Sequence, residues 1–419
     1  MNRMDDGREK PGRAFYLGSF CFPDGDAGSA RVLGIGKALR CSGWDVRFGS
    51  GAPAGRPSDR QSDGSFMHDG FRYQPLGDST SVKRTLAARS DSFLRRGQAS
   101  LRWLENENAT AGDVVIAYGG VLPFLFRLRR WCGERYIPLI VDCVEWYAPD
   151  HLPGGPLGPL RFSEEVRMRL LNRRVDGILV ISRFLERYYS NGRLPVFRVP
   201  PLVDLEDAKW SVPASVAPGK NTIFVYVGNP GKKDLIGNIL RAFREVVDTG
   251  ARCRLIVAGP SRTQLETVLE REGIGRSALN GWIDVRGNLE QALVPGVLAP
   301  ADFSVLARPP LRYAMAGFPT KVVESLAAGT PPLLNVTSDL GEIIRDGENG
   351  ILARDHSVTA LTEAIGRGIR MGPGARQQMR VRARQTAETC FDFRRFIKPL
   401  GEFLLQVSKR RQQKLLAGL

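Results

Sequence analysis

Residues 313–332 read YAMAGFPTKVVESLAAGTPP. Pro319 suits the first position of a helix, because its ring fixes φ and its missing N–H would be unpaired there anyway. Gly329 followed by Pro331 stops the same helix, which the spacing makes about ten residues long. At about 100° per residue Val322, Val323, Leu326 and Ala327 form an apolar stripe, while Lys321, Glu324, Ser325 and Ala328 lie on the opposite side. One face is expected to pack and the other to meet a ligand. A helix start carries unpaired N–H groups and about half a positive charge, so an anion near Gly317, Phe318, Pro319, Thr320 and Lys321 is held by amides, dipole and ammonium together. Glu324, one turn on, suits two neighbouring hydroxyls, as on a ribose. The combination points to a nucleoside diphosphate. The alternative reading of the same residues is an exposed Lys–Glu pair, worth only about 0.2–0.5 kcal/mol.

Outward from this helix the chain alternates. Short apolar runs at Thr222 to Val227, Arg254 to Ala258, Ile283 to Arg286, Phe303 to Leu306 and Pro332 to Asn335 read as buried strands with helical segments between them. An earlier series at Arg13 to Leu17, Asp45 to Phe48, Val114 to Tyr118, Leu139 to Val141 and Gly177 to Ile181 does the same. The Pro-rich stretch from Asn191 to Lys220 reads as the connection. The pattern predicts an α/β protein with two Rossmann-like, doubly wound domains whose strand ends face a cleft. The expected organisation is a disordered tail over 1–12, a first domain over 13–205, a linker over 206–220, a second domain over 221–385, and a basic C-terminal helix over 386–419 that returns toward the first domain.

Length and composition agree. A chain of 419 residues exceeds one ordinary core, and 42% apolar with 25% charged residues is typical of a globular enzyme. The polar start lacks the apolar stretch of a signal peptide, and no run of 18 apolar residues occurs, so a cytoplasmic chain without a membrane span is expected. Six cysteines without CxxC spacing and three histidines argue against zinc and against a disulfide framework. The net charge is +16, and residues 351–419 concentrate it, with 14 basic against 5 acidic residues.

Two glycine-bearing turns follow strands. The first, Phe20 to Ala30, includes Gly25 and Gly28 and lets a ligand approach the backbone, though both glycines fit a plain turn equally well; it is not GxGxxG. The second, Val227-Gly228-Asn229-Pro230-Gly231-Lys232-Lys233-Asp234, places two lysines beneath a helix start and suits a diphosphate. It lacks the P-loop spacing, which disfavours an ATPase.

The motifs FPTKxxExLAxGxP at 318–331, GxxGKKD at 228–234 and TSDLGEIIRDGENGIL at 337–352 resemble the retaining, nucleotide-sugar-dependent family 4 glycosyltransferases of the GT-B fold. The segment DCVEWY at 142–147, Ile181-Ser182 and PPLVD at 200–204 look like the bacterial polysaccharide branch. The resemblance runs from about Ala14 to Gly368. It implies that Lys233 and Lys321 hold the donor diphosphate and that Glu324 binds the ribose. It also implies that Gly287, Asn288 and Leu289 meet the base, and that Gly28 lies against the phosphates. Gly228, Asn229, Lys232 and Arg308 are further donor-side candidates, Asn229 and Lys232 standing near a missing family arginine. Two lysines and helix amides aimed at a leaving diphosphate need no metal. Asp142 and Glu145 are candidates for acceptor or sugar contact, with a turn or helix cap as the plain alternative for Asp142. Many relatives carry a glutamate eight positions before Glu324; here that position is Ala316.

Basic amphipathic segments at Ser81 to Glu105, at Pro123 to Arg130 and in the tail SKRRQQKLLAGL suit an anionic membrane, where a lipid-linked acceptor would sit. A helix face packed by its leucines is the alternative. Nucleic-acid binding is disfavoured because the basic arm has almost no aromatics. The expectation is therefore a transferase extending a glycan or lipid-linked acceptor in surface polysaccharide synthesis. Two other readings stay open: a degenerate, non-catalytic partner subunit, and another GT-B sugar-nucleotide enzyme.

Overall fold

The computed structural model describes residues 12–78, 86–152, 154–211, 221–229 and 233–417. They divide into two compact units, the first ending at Leu202 and resuming at Phe393, the second running from Val203 to Asp392. Of the expected tail over 1–12, residues 1–11 lie outside the described residues.

In chain order the first unit contains β1 (Arg13–Gly18), α1 (Ala27–Cys41), β2 (Asp45–Ser50), β3 (Phe66–His68), β4 (Phe71–Pro75), α2 (Leu86–Arg95), α3 (Gln98–Asn106) and β5 (Val114–Tyr118). It continues with α4 (Leu122–Glu134), β6 (Leu139–Cys143), α5 (Pro159–Val166), β7 (Gly177–Val180), α6 (Arg183–Tyr189) and β8 (Val196–Arg198). The sheet order is β3-β4-β2-β1-β5-β6-β7-β8, and every pairing is parallel except β3 with β4. Central strands such as β5 and β7 are apolar runs because helices cover both faces. Phe20, Phe22 and Phe48 fill the core beside β1, with Phe22 stacked on Phe48 at 4.3 Å.

The second unit comprises β9 (Thr222–Val227), α7 (Ile236–Asp248), β10 (Cys253–Ala258), α8 (Arg262–Arg271), β11 (Ile283–Gly287), α9 (Val294–Leu298), β12 (Phe303–Leu306), α10 (Arg312–Ala316) and α11 (Thr320–Ala327). Then come β13 (Pro332–Asn335), α12 (Leu340–Ile343), β14 (Ile351–Ala353), α13 (Val358–Arg370) and α14 (Pro373–Cys390). The all-parallel order β11-β10-β9-β12-β13-β14 reverses direction between β9 and β12. In α7 the buried residues Ile236, Ile239, Leu240, Phe243 and Val246 recur at helical spacing and press onto Phe224 and Phe303 of the sheet.

All ten expected strands are present, and four more appear. β3, β8 and β14 are only three residues long, and β4 alternates buried Phe71 and Tyr73 with exposed Arg72 and Gln74, so none offers an apolar run of strand length. β8 falls within the stretch read as a connection. The linker reading over 206–220 also needs correction at its start. Val203 N donates to Phe391 O at 2.9 Å, and Arg384 donates to the carbonyls of Leu205 and Trp210, so residues 203–210 are stitched into the second unit. Residues 212–220 lie outside the described residues.

The expected helix over 386–419 divides instead. α14 runs to Cys390 in the second unit, and α15 (Ile397–Leu416) packs on α1 of the first. The basic excess of this region is not a uniform arm. Arg380 is buried and donates to Ala299 O and Ala301 O, and Arg376 donates to Ile369 O, so part of it serves as internal carbonyl caps.

Candidate functional site

In a doubly wound sheet the crevice opens beyond the strand ends where the order reverses. In the second unit that place is bounded by Gly228 after β9 and Arg308 after β12. A buried aspartate organises it. Arg308 Nε donates to Asp234 Oδ1 at 2.6 Å, and Lys321 Nζ and Tyr226 OH donate to Oδ2 at 2.5 and 2.7 Å. Lys321 Nζ also lies 3.3 Å from Tyr226 OH and 4.6 Å from the centre of its ring. Asp234 is 1% exposed as a side chain, whereas Lys321 and Arg308 retain 18% and 13%. Burial alone would raise the Asp234 carboxyl, but Lys321 and Arg308 outweigh it and hold it below the usual carboxylate range. Burial, with Arg308 adding repulsion, pulls the Lys321 ammonium below its ordinary value despite Asp234.

One carboxylate between two cations leaves an excess positive charge whose outer parts reach the surface. Local geometry fixes it there. Gly228 has φ +109°, and a Cβ at that position would come within 3.0 Å of Lys321 Nζ, so glycine both allows the turn and gives the lysine its path to Asp234. Arg308 is held by its backbone, its N–H donating to Asn335 Oδ1 at 2.9 Å while Asn335 Nδ2 donates to Arg308 O at 2.8 Å. Tyr313 OH donates to Lys233 O at 3.0 Å and ties the lysine loop to α10. Asn229 is exposed beside this turn, and Lys232 lies outside the described residues.

The helix expected at 319–328 is shorter than the spacing predicts. α11 starts at Thr320, and Pro319 is its N-cap with ψ 101°, outside helical geometry. A separate turn of helix, α10, precedes it. Of the face read as free, Ser325 and Ala328 are buried, and Ser325 donates to Thr330 O at 2.6 Å. Only Lys321 and Glu324 of that face remain half-buried. Gly317, Phe318 and Pro319 are buried as well. Phe318 packs edge-on against Phe391 at 5.7 Å, and Gly317 O accepts from Ser338 Oγ at 2.5 Å, so these residues shape the approach to α11 from the core side. Ala316 is wholly buried.

Lys321 does not form the surface pair with Glu324. Glu324 Oε1 accepts instead from Gln291 Nε2 at 2.5 Å. Burial raises the Glu324 carboxyl above its ordinary value, opposed by the Gln291 bond and by Lys209 and Lys321. Gln291 stands just beyond Gly287, Asn288 and Leu289, so this contact brings the post-β11 loop against α11. Gly287 is anchored by its carbonyl, which accepts from Gly259 N at 2.6 Å.

Sequence reading missed three members of this constellation. Asp234 and Tyr226 carry chemistry only because burial and two cations converge on them, and nothing in the local pattern marks that convergence. Gln291 is separated from Glu324 by 33 positions.

In the first unit two assignments need correction. Asp142 is fully buried, and Arg31 donates to it through Nε at 2.8 Å and Nη2 at 2.7 Å while Tyr16 OH donates to Oδ2. Its carboxylate is saturated by protein, so it is neither a sugar contact nor a cap. Gly28 is buried inside α1, where a Cβ would approach Tyr118 OH and Asp26 Oδ1 to 3.0 Å; packing against protein, not ligand approach, explains the glycine. Asp26 caps α1, accepting from Ser29 N at 2.7 Å. That places a carboxylate at the helix start where phosphate was expected. Glu145 is half-buried beyond β6 and bonded to the Tyr147 hydroxyl.

Comparison with known proteins bears on the fold and the family. Residues 221–370 match the family model for glycosyl transferases group 1, and residues 27–200 match that of the glycosyl transferase 4-like domain. Over 159 residues the chain is 29% identical to a GDP-mannose-dependent alpha-(1-6)-phosphatidylinositol dimannoside mannosyltransferase of Mycobacterium tuberculosis, covering 37% of this chain and 36% of that protein. The chain thus spans about a third of the length of the curated relatives it matches. Among solved structures, sucrose-phosphate synthase from Thermosynechococcus elongatus has a TM-score of 0.70 at 15% identity, covering 94% of this chain and 99% of that one. HepE of Anabaena, solved with UDP and glucose, gives 0.64 at 14% identity over 94% and 99%. WaaG, a glycosyltransferase involved in lipopolysaccharide biosynthesis, gives 0.63 at 15% over 93% and 98%. The two matched segments span most of the chain, and the protein belongs to the family 4 glycosyltransferases of the GT-B fold.

Proposed function

We propose that this glycosyltransferase moves a sugar from a nucleoside-diphosphate sugar to a glycan or lipid-linked acceptor with retention of anomeric configuration, in bacterial exopolysaccharide or surface-polysaccharide synthesis, as a protein peripheral to an anionic membrane. The observation that carries the donor assignment is the pair of cations, Lys321 and Arg308, braced by buried Asp234 at the switch point of the second sheet. Lys321 Nζ and the guanidinium of Arg308 would donate to the diphosphate oxygens, with Lys233 from the adjoining loop adding charge. Glu324, steadied by Gln291, would accept from the ribose hydroxyls, and the backbone of Gly287 to Leu289 would face the base.

In the transfer, the acceptor oxygen bonds to the anomeric carbon, the bond from that carbon to the phosphate oxygen breaks, and the hydroxyl proton passes to the departing phosphate on the same face. With the diphosphate held there, the cations would stand where negative charge develops on that phosphate and would stabilise it with no metal ion required. Glu145 remains the first-unit residue for acceptor or sugar contact.

The mannosyltransferase relative makes GDP-mannose the first donor to test and GDP and UDP the first ligands. Thermal stabilisation by a nucleotide, lost in Lys321→Ala and in Glu324→Ala, is the expected result. Absence of stabilisation by GDP, UDP and their sugars would remove the donor assignment. Nucleotide binding with no transfer to any acceptor would favour the degenerate reading that buried Ala316 keeps in view.

A further inference from the structure

We infer that one face of the first unit, centred on α4, seats the protein on an anionic lipid surface through large apolar side chains set among arginines and lysines. The inference deepens the peripheral-membrane part of the proposed function and rests on that reading for its purpose. Its geometry is independent of the donor site.

The amphipathic segments that stand far apart in the sequence converge here. α4 buries Phe124, Leu125, Leu128, Trp131 and Cys132 and turns Phe126, Arg129 and Arg130 outward, Phe126 being 53% exposed. On one flank Arg127 Nη1 donates to Arg96 O at 2.8 Å and joins α4 to the end of α2, where Leu94 is 60% exposed beside exposed Arg95. On the other flank Leu122 N donates to Ser163 Oγ at 2.8 Å and brings in α5, whose Phe162 is 68% exposed. At the far end of α4, Arg411 of α15 donates to Gly133 O at 3.3 Å and lies over the ring of Tyr136. That contact carries exposed Leu416, Arg410 and Lys414 to the same helix.

These contacts make α2, α5 and α15 neighbours of α4, and each of the four carries an exposed large apolar side chain within a few residues of an exposed cation, Arg161 serving Phe162 in α5. Arg95 and Arg130 bridge to Asp91 and Glu134 one turn away, but such exposed pairs are screened and weak, so they do not lock the charge in place. A protein-binding surface of comparable strength depletes charge at its centre. Single aromatic and leucine side chains among arginines and lysines instead match the headgroup boundary, where phosphates meet acyl chains. Among the described residues no helix is long and apolar enough to cross a membrane. The surface therefore supports lying on a bilayer, with attraction to anionic lipid adding to shallow burial of Phe126 and Phe162.

The test is sedimentation of the full chain with vesicles of phosphatidylcholine alone and of phosphatidylcholine mixed with phosphatidylglycerol. Binding only to the anionic vesicles is expected, falling by about tenfold or more when salt is raised from low to near-molar levels. Phe126→Ser with Phe162→Ser should lower partitioning by about tenfold or more. Arg129→Gln with Arg130→Gln, both at exposed positions, should weaken it without touching the core. Failure to sediment with anionic vesicles, equal binding to neutral ones, or variants that partition like the wild type would overturn the inference. Thermal stabilisation by GDP or UDP in the same samples keeps the two ideas apart. Nucleotide binding without vesicle binding contradicts this surface alone, and the reverse contradicts the donor site alone.

Discussion

Each unit of the molecule holds a buried aspartate bonded to an arginine and a tyrosine, and the two do different things. Asp142 and Arg31 are 0% and 1% exposed as side chains, and the remaining Arg31 donor Nη1 reaches Val199 O at 2.8 Å. That pair is closed: every charge ends on protein. Asp234 is as deeply buried, but its partners Lys321 and Arg308 reach the surface at a sheet switch point. That cluster is open on one side, with one more cation than anion. A buried ion pair is thus a brace in both units, and exposure of its cations distinguishes a brace for the fold from a brace for a ligand.

Substitution separates the two most sharply through stability. Asp142→Ala strands Arg31 in the core and should cost about 3–5 kcal/mol of unfolding free energy in denaturant titration. The affinity of the folded fraction for GDP or UDP should stay within about twofold. Asp234→Asn should do the opposite, because Lys321 and Arg308 can turn toward water. Its stability loss should be the smaller of the two, and nucleotide affinity should fall about tenfold. Equal stability losses, or an Asp234→Asn protein with full nucleotide affinity, would erase the distinction.

The pH dependence of stability sharpens it within the second unit. The Asp234 carboxyl is held below its ordinary value, chiefly because Lys321 and Arg308 outweigh the effect of burial. Its stabilisation is therefore complete above about pH 3.9 and lost as pH falls through the lower folded value. Glu324 is raised by burial, so its contribution is present below about pH 4.3 and lost as pH rises through the raised folded value. Denaturation midpoints across acid pH should show Asp234→Asn flattening the acid limb and Glu324→Gln flattening the limb above it. Variants whose profiles parallel the wild type would show that neither carboxyl is coupled to folding.

The smallest expected effect belongs to Gln291. Removing its bond to Glu324 in Gln291→Ala should weaken GDP or UDP binding about three- to tenfold and narrow the preference for ribo- over 2′-deoxyribonucleotide. Unchanged discrimination would place the ribose elsewhere.

The central strands and the order of domains were legible in the sequence because buried parallel strands are continuous apolar runs, as in Val114–Tyr118 and Phe303–Leu306. The short strands Phe66–His68 and Val196–Arg198 were not, since their half-buried residues carry no such run. In the site, Lys321, Glu324 and Gly228 announced themselves through helix spacing and turn chemistry. Asp234 was visible only as a letter in the lysine loop, because its role depends on Arg308 and Lys321 arriving from 74 and 87 positions away. Asp142 misled for the same reason. A carboxylate at a strand end looks like an acceptor or sugar contact until the arginine that saturates it, 111 positions distant, is seen.

The central claim is that the Asp234-braced cations hold the donor diphosphate. Titration calorimetry of GDP and UDP against the wild type and Lys321→Ala tests it most directly. The account predicts that the nucleotide bound by the wild type loses about a hundredfold in affinity in the folded variant, while stability falls only in part because Arg308 and Tyr226 still bond Asp234. Equal affinity in the two proteins would contradict it.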